Sequence, residues 1–354
     1  MKIATIIGAR PQFIKAALLS QKLREKHSEV LIHTGQHYDK NISEIFFQEL
    51  KIAMPDYNLE VGSATHGKQT GKILIKLEEK LIKEKPDCVI VFGDTNSTIA
   101  AALAASKLNI VLLHIEAGLR SYDKRMPEEQ NRIATDHLSD ILLCPSKNAV
   151  NNLRQEGIIE QVYNVGDIMY DLFLKYRKKA EQNSKILEKL NLRKNKYYLA
   201  TIHRVENTDK KNKLITILKT FNNLDYQVVF PVHPRTIAKI KSYNLERNNY
   251  NNILFIEPVA YLDMLNLLIN CKKVLTDSGG LQKEAYFASK QCITLRSSTE
   301  WIETLENNWN TLVDVNSILL EAIKNQEIDL EQKKEDHFGT GDTVKNIIDI
   351  IDKL

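Results

Sequence analysis

A chain of 354 residues is long for one hydrophobic core, and about 150 residues per domain points to two. Charged residues make up 27% and apolar ones 43%, the balance of a globular protein rather than a disordered or fibrous one. With 49 Lys and Arg against 45 Asp and Glu, the net charge of +4 is too small to argue for nucleic acid or an anionic membrane surface as a partner.

The opening "MKIATIIGARP" has an apolar run of about five residues before Gly8 and Arg10, too short for a secretory signal. Further on, "IAAALAASKLNIVLL" is broken by Ser106, Lys107 and Asn109, so no bilayer span is expected. Cys88, Cys144, Cys271 and Cys292 stand in apolar segments without CxxC spacing and read as reduced core thiols of a cytoplasmic protein.

In chain order, "KIATIIG", "EVLIHTG", "CVIVFGD", "VLLHIEAG", "ILLCPS" and "VYNVGD" read as strands. Amphipathic helices lie between them, among them "PQFIKAALLSQKLREK", "TGKILIKLEEKLIKEK" and "STIAAALAASKL". Strands that are apolar throughout, separated by helices, predict a parallel sheet covered on both faces. After the polar helical stretch "FLKYRKKAEQNSKILEKLNLRKN" a second series begins: "YYLATIHR", "QVVFPVHP", "NILFIEP", "KVLTDSGG" and "QCITLR". The expected fold class is therefore α/β, with two Rossmann-like doubly wound domains facing a cleft. The domains are expected at 1–167 and 168–340, with the last helix, 341–354, packed on one of them.

In open α/β sheets ligands bind beyond the carboxyl ends of the strands, so the polar residues that follow each apolar run are the candidates. The first domain offers Arg10, Lys15, Gln36, His37, Asp94 and Glu116; the second offers His203, Arg204, Glu206, His233, Arg235, Glu257, Asp277 and Arg296. Between strand and helix in "VLTDSGGLQKEA" stand Ser278, Gly279 and Gly280, a turn where free N–H groups and the helix dipole favour an anion. Glu284, further into that helix, suits the hydroxyls of a ribose, and phosphate plus ribose means a nucleotide. "GARPQFIK" lacks the GxGxxG fingerprint, which argues against a dinucleotide cofactor. Asp94, Glu116 and Glu128 put carboxylates among Arg and His, a set suited to proton transfer; the competing readings are a helix cap for Asp94 and an ordinary first-turn acid for Glu128. Isolated histidines without HxH or HExxH spacing predict no metal.

With these residues in view, "GARPQFIK", "GDTNSTIAAALAA", "HIEAGLRS", "MPEEQNRIATDH", "PVHPRT", "DSGGLQKEA" and the final "GTGD" resemble the non-hydrolysing UDP-N-acetylglucosamine 2-epimerase family, in the same order nearly end to end. The resemblance implies a GT-B-like fold, a homodimer, a UDP-sugar substrate and no cofactor, with the C-terminal helix crossing back onto the first domain. It also implies roles. Asp94, Glu116 and Glu128 would handle the proton at sugar C2, with His203 beside the diphosphate. Arg10, Lys15, His233, Ser278, Gly279, Gly280 and Arg296 would line the UDP site, with Glu284 on the ribose. Gln36 and His37 would mark a second, activating substrate site. The implied chemistry is elimination of UDP to a 2-acetamidoglucal and re-addition, serving surface polysaccharide precursors.

Two departures bear on the substrate. "TEWIE" around Glu300, Trp301 and Glu303 stands where the family commonly has "TERPE", and "RPQF" replaces "RPE"; both resemble a branch acting on UDP-2,3-diacetamido-2,3-dideoxyglucuronate. "GQHYDKN" departs from the "QHR" of some bacterial members at the activating site. A hydrolysing 2-epimerase, a GT-B glycosyltransferase and a non-catalytic nucleotide-sugar sensor are the competing readings.

Overall fold

A computed structural model of the chain describes residues 1–36, 53–315, 319–325 and 334–354, and for Arg10 and Pro11 the backbone alone. The described residues form two compact units, Met1–Leu174 with Asp336–Leu354, and Lys175–Glu335. The first crossing between them lies inside a helix that opens at Ile168, the expected start of the second domain.

In the first unit the chain runs β1 (Lys2–Ile7), α1 (Arg10–Lys26), β2 (Ser28–His33), β3 (Tyr57–Asn58), α2 (His66–Glu84), β4 (Cys88–Phe92) and α3 (Asn96–Lys107). It continues β5 (Val111–Ile115), α4 (Pro127–Leu138), β6 (Ile141–Cys144), α5 (Lys147–Gln155), β7 (Val162–Asn164) and α6 (Ile168–Asn183). The strands form one parallel sheet of order β3-β2-β1-β4-β5-β6-β7. The run "CVIVF" of β4 is wholly buried because helices cover both faces of a doubly wound sheet. On one face, Ile73, Leu77 and Leu81 of α2 and the alanines of α3 pack on Ala4, Ile6, Val89 and Val91. Alanine at 100, 101, 102, 104 and 105, each fully buried, lets α3 approach the sheet closely.

The second unit runs α7 (Ile186–Lys189), β8 (Tyr197–Thr201), α8 (Val205–Thr208), α9 (Lys211–Asn222), β9 (Gln227–Pro231), α10 (Pro234–Ser242) and β10 (Ile253–Ile256). Then follow α11 (Tyr261–Asn270), β11 (Lys273–Thr276), α12 (Gly279–Phe287), β12 (Gln291–Thr294), β13 (Asn310–Leu312) and α13 (Leu319–Asn325). Its parallel sheet has the order β10-β9-β8-β11-β12-β13, over a core that includes Phe221, Phe230, Leu275 and Ile293. The short edge strands β3 and β13 are too brief to show as apolar runs, and the sequence reading contained neither.

The last helix, α14 (Thr343–Ile351), belongs to the first unit. Val344, Ile347, Ile348 and Ile351 form its buried stripe. Asp171 of α6 accepts the Val344 N–H at 2.8 Å, and Lys26 and His27, at the end of α1, pair with Asp352 at 2.5 and 2.9 Å.

The two sheets share a feature that fixes where ligands are expected. Strand order reverses between β1 and β4 in one and between β8 and β11 in the other. Such reversals splay the loops at the carboxyl ends and leave a crevice. Gly8–Arg10 and Gly93–Asp94 stand at the first reversal; His203 and the Ser278–Gly280 turn stand at the second.

Candidate active site

Asp94 follows β4 but does not cap the next helix. That position belongs to Thr95, whose hydroxyl accepts the Thr98 N–H at 3.3 Å. Asp94 is thus available to Arg132 of α4, which donates to it at 2.6 Å and to Glu129 at 2.8 Å. The two acids of "PEEQNR" behave differently because adjacent helical residues point about 100° apart. Glu128 is exposed, whereas Glu129 is buried and accepts from Ser121 N, Ser121 Oγ and Tyr122 N at 2.8 to 2.9 Å. Burial works to raise the Glu129 carboxyl, but these bonds and Arg132 outweigh it and hold it below the ordinary value.

Glu116 follows β5 in a left-handed conformation, φ 71°. A non-glycine residue there costs about 1–3 kcal/mol and persists only where its surroundings over-determine it. Leu143 O accepts from both Glu116 N and Ala117 N, at 3.0 and 3.2 Å. The Glu116 carboxylate forms a buried ion pair with Lys15 of α1. Gly93 is required beside them, since its φ is +60° and a Cβ would meet the Glu116 carboxylate at 3.0 Å and the Lys15 ammonium at 3.6 Å. Lys15 and Glu116 therefore meet beside Gly93, the residue before Asp94, where the loops after the neighbouring strands β4 and β5 begin.

The turn after β1 is not an open anion nest. Gln12 Oε1 accepts from Gly8 N at 2.8 Å and Ala9 N at 3.0 Å, while its amide donates to Phe92 O at 2.7 Å. Gln36 is buried, accepting from Ser97 N and Oγ at 3.0 and 2.6 Å. His37 lies outside the described residues, as does the side chain of Arg10.

In the second unit the organising residue is Asp277. Fully buried, it accepts from the backbone N–H groups of His203, at 3.0 and 3.1 Å, and of Arg204, at 3.0 Å, and from Asn207 Nδ2 at 3.1 Å. These bonds tie the loop after β8 to the Ser-Gly-Gly turn after β11. His203 lies with its ring centroid 5.3 Å from that of His233, which caps α10 by accepting Arg235 N–H at 3.2 Å.

Ser278 is the N-cap of α12, its hydroxyl accepting Leu281 N–H at 3.5 Å. The two glycines differ. A Cβ on Gly279 would run into the Glu300 carboxylate and lie 3.3 Å from Trp301 Nε1, so that glycine serves packing against the "TEWIE" segment. Gly280 is exposed, and a Cβ there would meet only Ser278 Oγ at 3.8 Å. Nothing in the described chain explains its lack of a side chain; a ligand drawn close to the helix terminus would. Glu284 accepts from the Tyr261 phenol at 3.1 Å, and burial pushes that phenol well above its ordinary value, keeping it a donor. Arg296 is buried and donates to Glu300 at 2.9 Å, so its contact with the Ser-Gly-Gly turn runs through Glu300. Lys283, also buried, lies with its ammonium 3.7 Å from the centre of the Trp301 ring, a cation–π contact.

Comparison with known proteins supplies the family. A family model described as UDP-N-acetylglucosamine 2-epimerase matches residues 21–352. The chain belongs to this epimerase family. It is 52% identical, over the full length of both chains, to a UDP-N-acetylglucosamine 2-epimerase homolog of Methanococcus maripaludis. It is 44% identical, again over the whole of both, to a UDP-2,3-diacetamido-2,3-dideoxy-D-glucuronate 2-epimerase of Pseudomonas aeruginosa. Among solved structures, the UDP-GlcNAc 2-epimerase of Methanocaldococcus jannaschii, in complex with UDP-GlcNAc and UDP, matches with a TM-score of 0.93 and 42% identity, covering all of both chains. The α/β fold of two Rossmann-like units, expected from the sequence as GT-B-like, is the fold of these epimerases.

Two residues of this epimerase-family chain escaped the site reading of the sequence. Arg132 and Glu129 read as ordinary helix residues, and only the spacing of Arg132 from Glu129, three positions along α4, hinted at a pair. Asp277 stood among the strand-end residues, but its contact with His203 spans 74 positions, which no local pattern reveals.

Proposed function

We propose that the chain inverts C2 of a UDP-linked 2-acetamido sugar without hydrolysing it. The observation that carries this reading is the buried Lys15–Glu116 pair standing against Gly93, next to Asp94, at the carboxyl ends of β4 and β5. A glycosyltransferase needs the nucleotide turn but no pair of carboxylates beside a buried lysine.

A proton at C2 of a pyranose is not acidic enough for direct inversion. In the proposed course a carboxylate removes the C2 proton while the C1–O bond breaks, its electrons leaving with UDP. The product is a 2-acetamidoglucal with a C1=C2 double bond. UDP then adds back to C1 as a carboxylic acid protonates C2 from the opposite face. Each proton transfer by a placed carboxylate contributes about 10²–10⁴-fold. The open face at Gly280 and the N-terminus of α12 suit the diphosphate, whose charge grows as the bond breaks. Glu284, oriented by Tyr261, suits the ribose diol, and His203 the diphosphate. Glu128, exposed at the start of α4, remains the third candidate for proton transfer. The reading includes a homodimer working in the cytoplasm; among the described residues no helix is long and apolar enough to cross a membrane.

Asp94→Asn and Glu116→Gln test it. Each is expected to lower turnover by about 10²-fold or more while UDP affinity, read by calorimetry, stays within about twofold. Retained turnover in both sinks the assignment. Parallel assays with UDP-N-acetylglucosamine and UDP-2,3-diacetamido-2,3-dideoxyglucuronate identify the substrate, since relatives named for each are equally similar to this chain at 44%.

A further inference from the structure

Asp94 and Glu116 follow neighbouring strands, and behind their loops lies a pair of buried residues that the proposed chemistry does not use. His114, on β5, has no exposed surface, and Asp136, on α4, is 1% exposed. His114 Nε2 donates to Gly93 O at 2.8 Å, the carbonyl just before Asp94. His114 Nδ1 stands 2.7 Å from Asp136 Oδ1. Asp136 in turn accepts from Gly118 N at 3.2 and 3.3 Å, two residues after Glu116. Arg120 completes the set, donating to Asp136 at 2.6 Å and to Glu156 at 2.6 and 2.8 Å.

A carbonyl can only accept, so Nε2 carries a proton. On its other side the ring meets Asp136 Oδ1, a carboxylate that Arg120 Nη1 and Gly118 N also contact. The pair therefore grips one loop through Gly93 O and the other through Gly118 N. Between those anchors Glu116 sits in its left-handed conformation, which an unanchored loop would abandon.

The geometry points to His114 and Asp136 as positioning residues that fix the candidate carboxylates Asp94 and Glu116 relative to each other. This rests on the reading of those two as the proton-transfer groups. The pair acts through the backbone and touches no substrate.

The test compares His114→Leu, which removes both contacts, with His114→Gln, whose amide can still donate to Gly93 O. Asp94→Asn and Glu116→Gln are the reference variants, and Leu77→Ala, a core truncation on the buried face of α2, is a stability control. Turnover, KM, UDP affinity and melting temperature are measured for each with the UDP-sugar the wild type converts. His114→Leu is expected to lose about 10²-fold in kcat, with KM and UDP affinity within about twofold. His114→Gln should recover about tenfold of that loss. Unchanged kcat in His114→Leu, or an equal loss in Leu77→Ala at a matched melting temperature, overturns the positioning role. The same holds for a His114→Gln variant no better than His114→Leu. If Asp94→Asn and Glu116→Gln themselves keep turnover, the acid–base reading falls and the positioning role falls with it. If both are inactive while His114→Leu is fully active, only the positioning role fails.

Discussion

Asp136 gives the clearest titration consequence in the molecule. Burial alone would raise its carboxyl, but the hydrogen bond and charge of His114 and the guanidinium of Arg120 outweigh burial and hold it below the ordinary range. A carboxylate with a lowered folded-state pKa stabilises the protein above its unfolded value, near 3.9, and that contribution is lost as pH falls through the folded value. Asp136→Asn is therefore expected to cost about 3–5 kcal/mol at pH 7, the penalty for leaving Arg120 and His114 beside a neutral group. Urea titrations across pH should find the gap to wild type constant from neutrality to about pH 5 and closing below about pH 4. A gap that widens on acidification contradicts this. Individual residues were only partly legible in the sequence. Asp94 and Glu116 showed themselves as acids ending apolar strands, because a strand end is a local pattern. The bond from His114 to Asp136 spans 22 positions and had no such pattern. Glu128 and Glu129, alike in sequence, were separated only by the rotation of the helix that carries them.

At the scale of elements, the turn opening α12 divides into a packing glycine and an open one. Gly279→Ala must push a methyl group against Glu300 and Trp301 and is expected to lower stability by about 1–3 kcal/mol. Gly280→Ala meets no such obstacle and should be neutral or stabilising by up to about 1 kcal/mol, through reduced freedom of the unfolded chain. Its UDP affinity should nonetheless fall if the diphosphate approaches that position. Thermal melts paired with calorimetric UDP titrations separate the two effects, and a Gly280→Ala variant of full affinity would remove the diphosphate from this turn. Both glycines looked alike in "DSGG", because the residues that distinguish them, Glu300 and Trp301, come about twenty positions later. Most central strands, by contrast, could be read directly: β1, β2, β4, β5, β8, β9 and β11 are apolar runs ended by Gly, Pro or a polar residue. β3 and β13 could not, since pairing at a sheet edge rather than local composition makes them strands.

At the scale of the whole chain, two doubly wound units divide the proposed work. The first supplies carboxylates and a buried lysine at its strand-order reversal, the second a helix terminus and a ribose acceptor at its own. The C-terminal helix α14 ties the end of the chain to the unit that begins it, through four apolar residues and the Asp171 cap. Removing Asp342–Leu354 strips that stripe from the first unit and should cost several kcal/mol, at about 1.5–3 kcal/mol per buried aliphatic side chain. A truncated chain that melts within a few degrees of the full one would show that α14 is dispensable to the first unit.

The most direct test of the account is proton NMR of the enzyme in D₂O, first with UDP-N-acetylglucosamine and then with UDP-2,3-diacetamido-2,3-dideoxyglucuronate. Elimination and re-addition predict deuterium at C2 of both epimers, each still linked to UDP. Free sugar with UDP, or both substrates recovered unexchanged at C2, would contradict it.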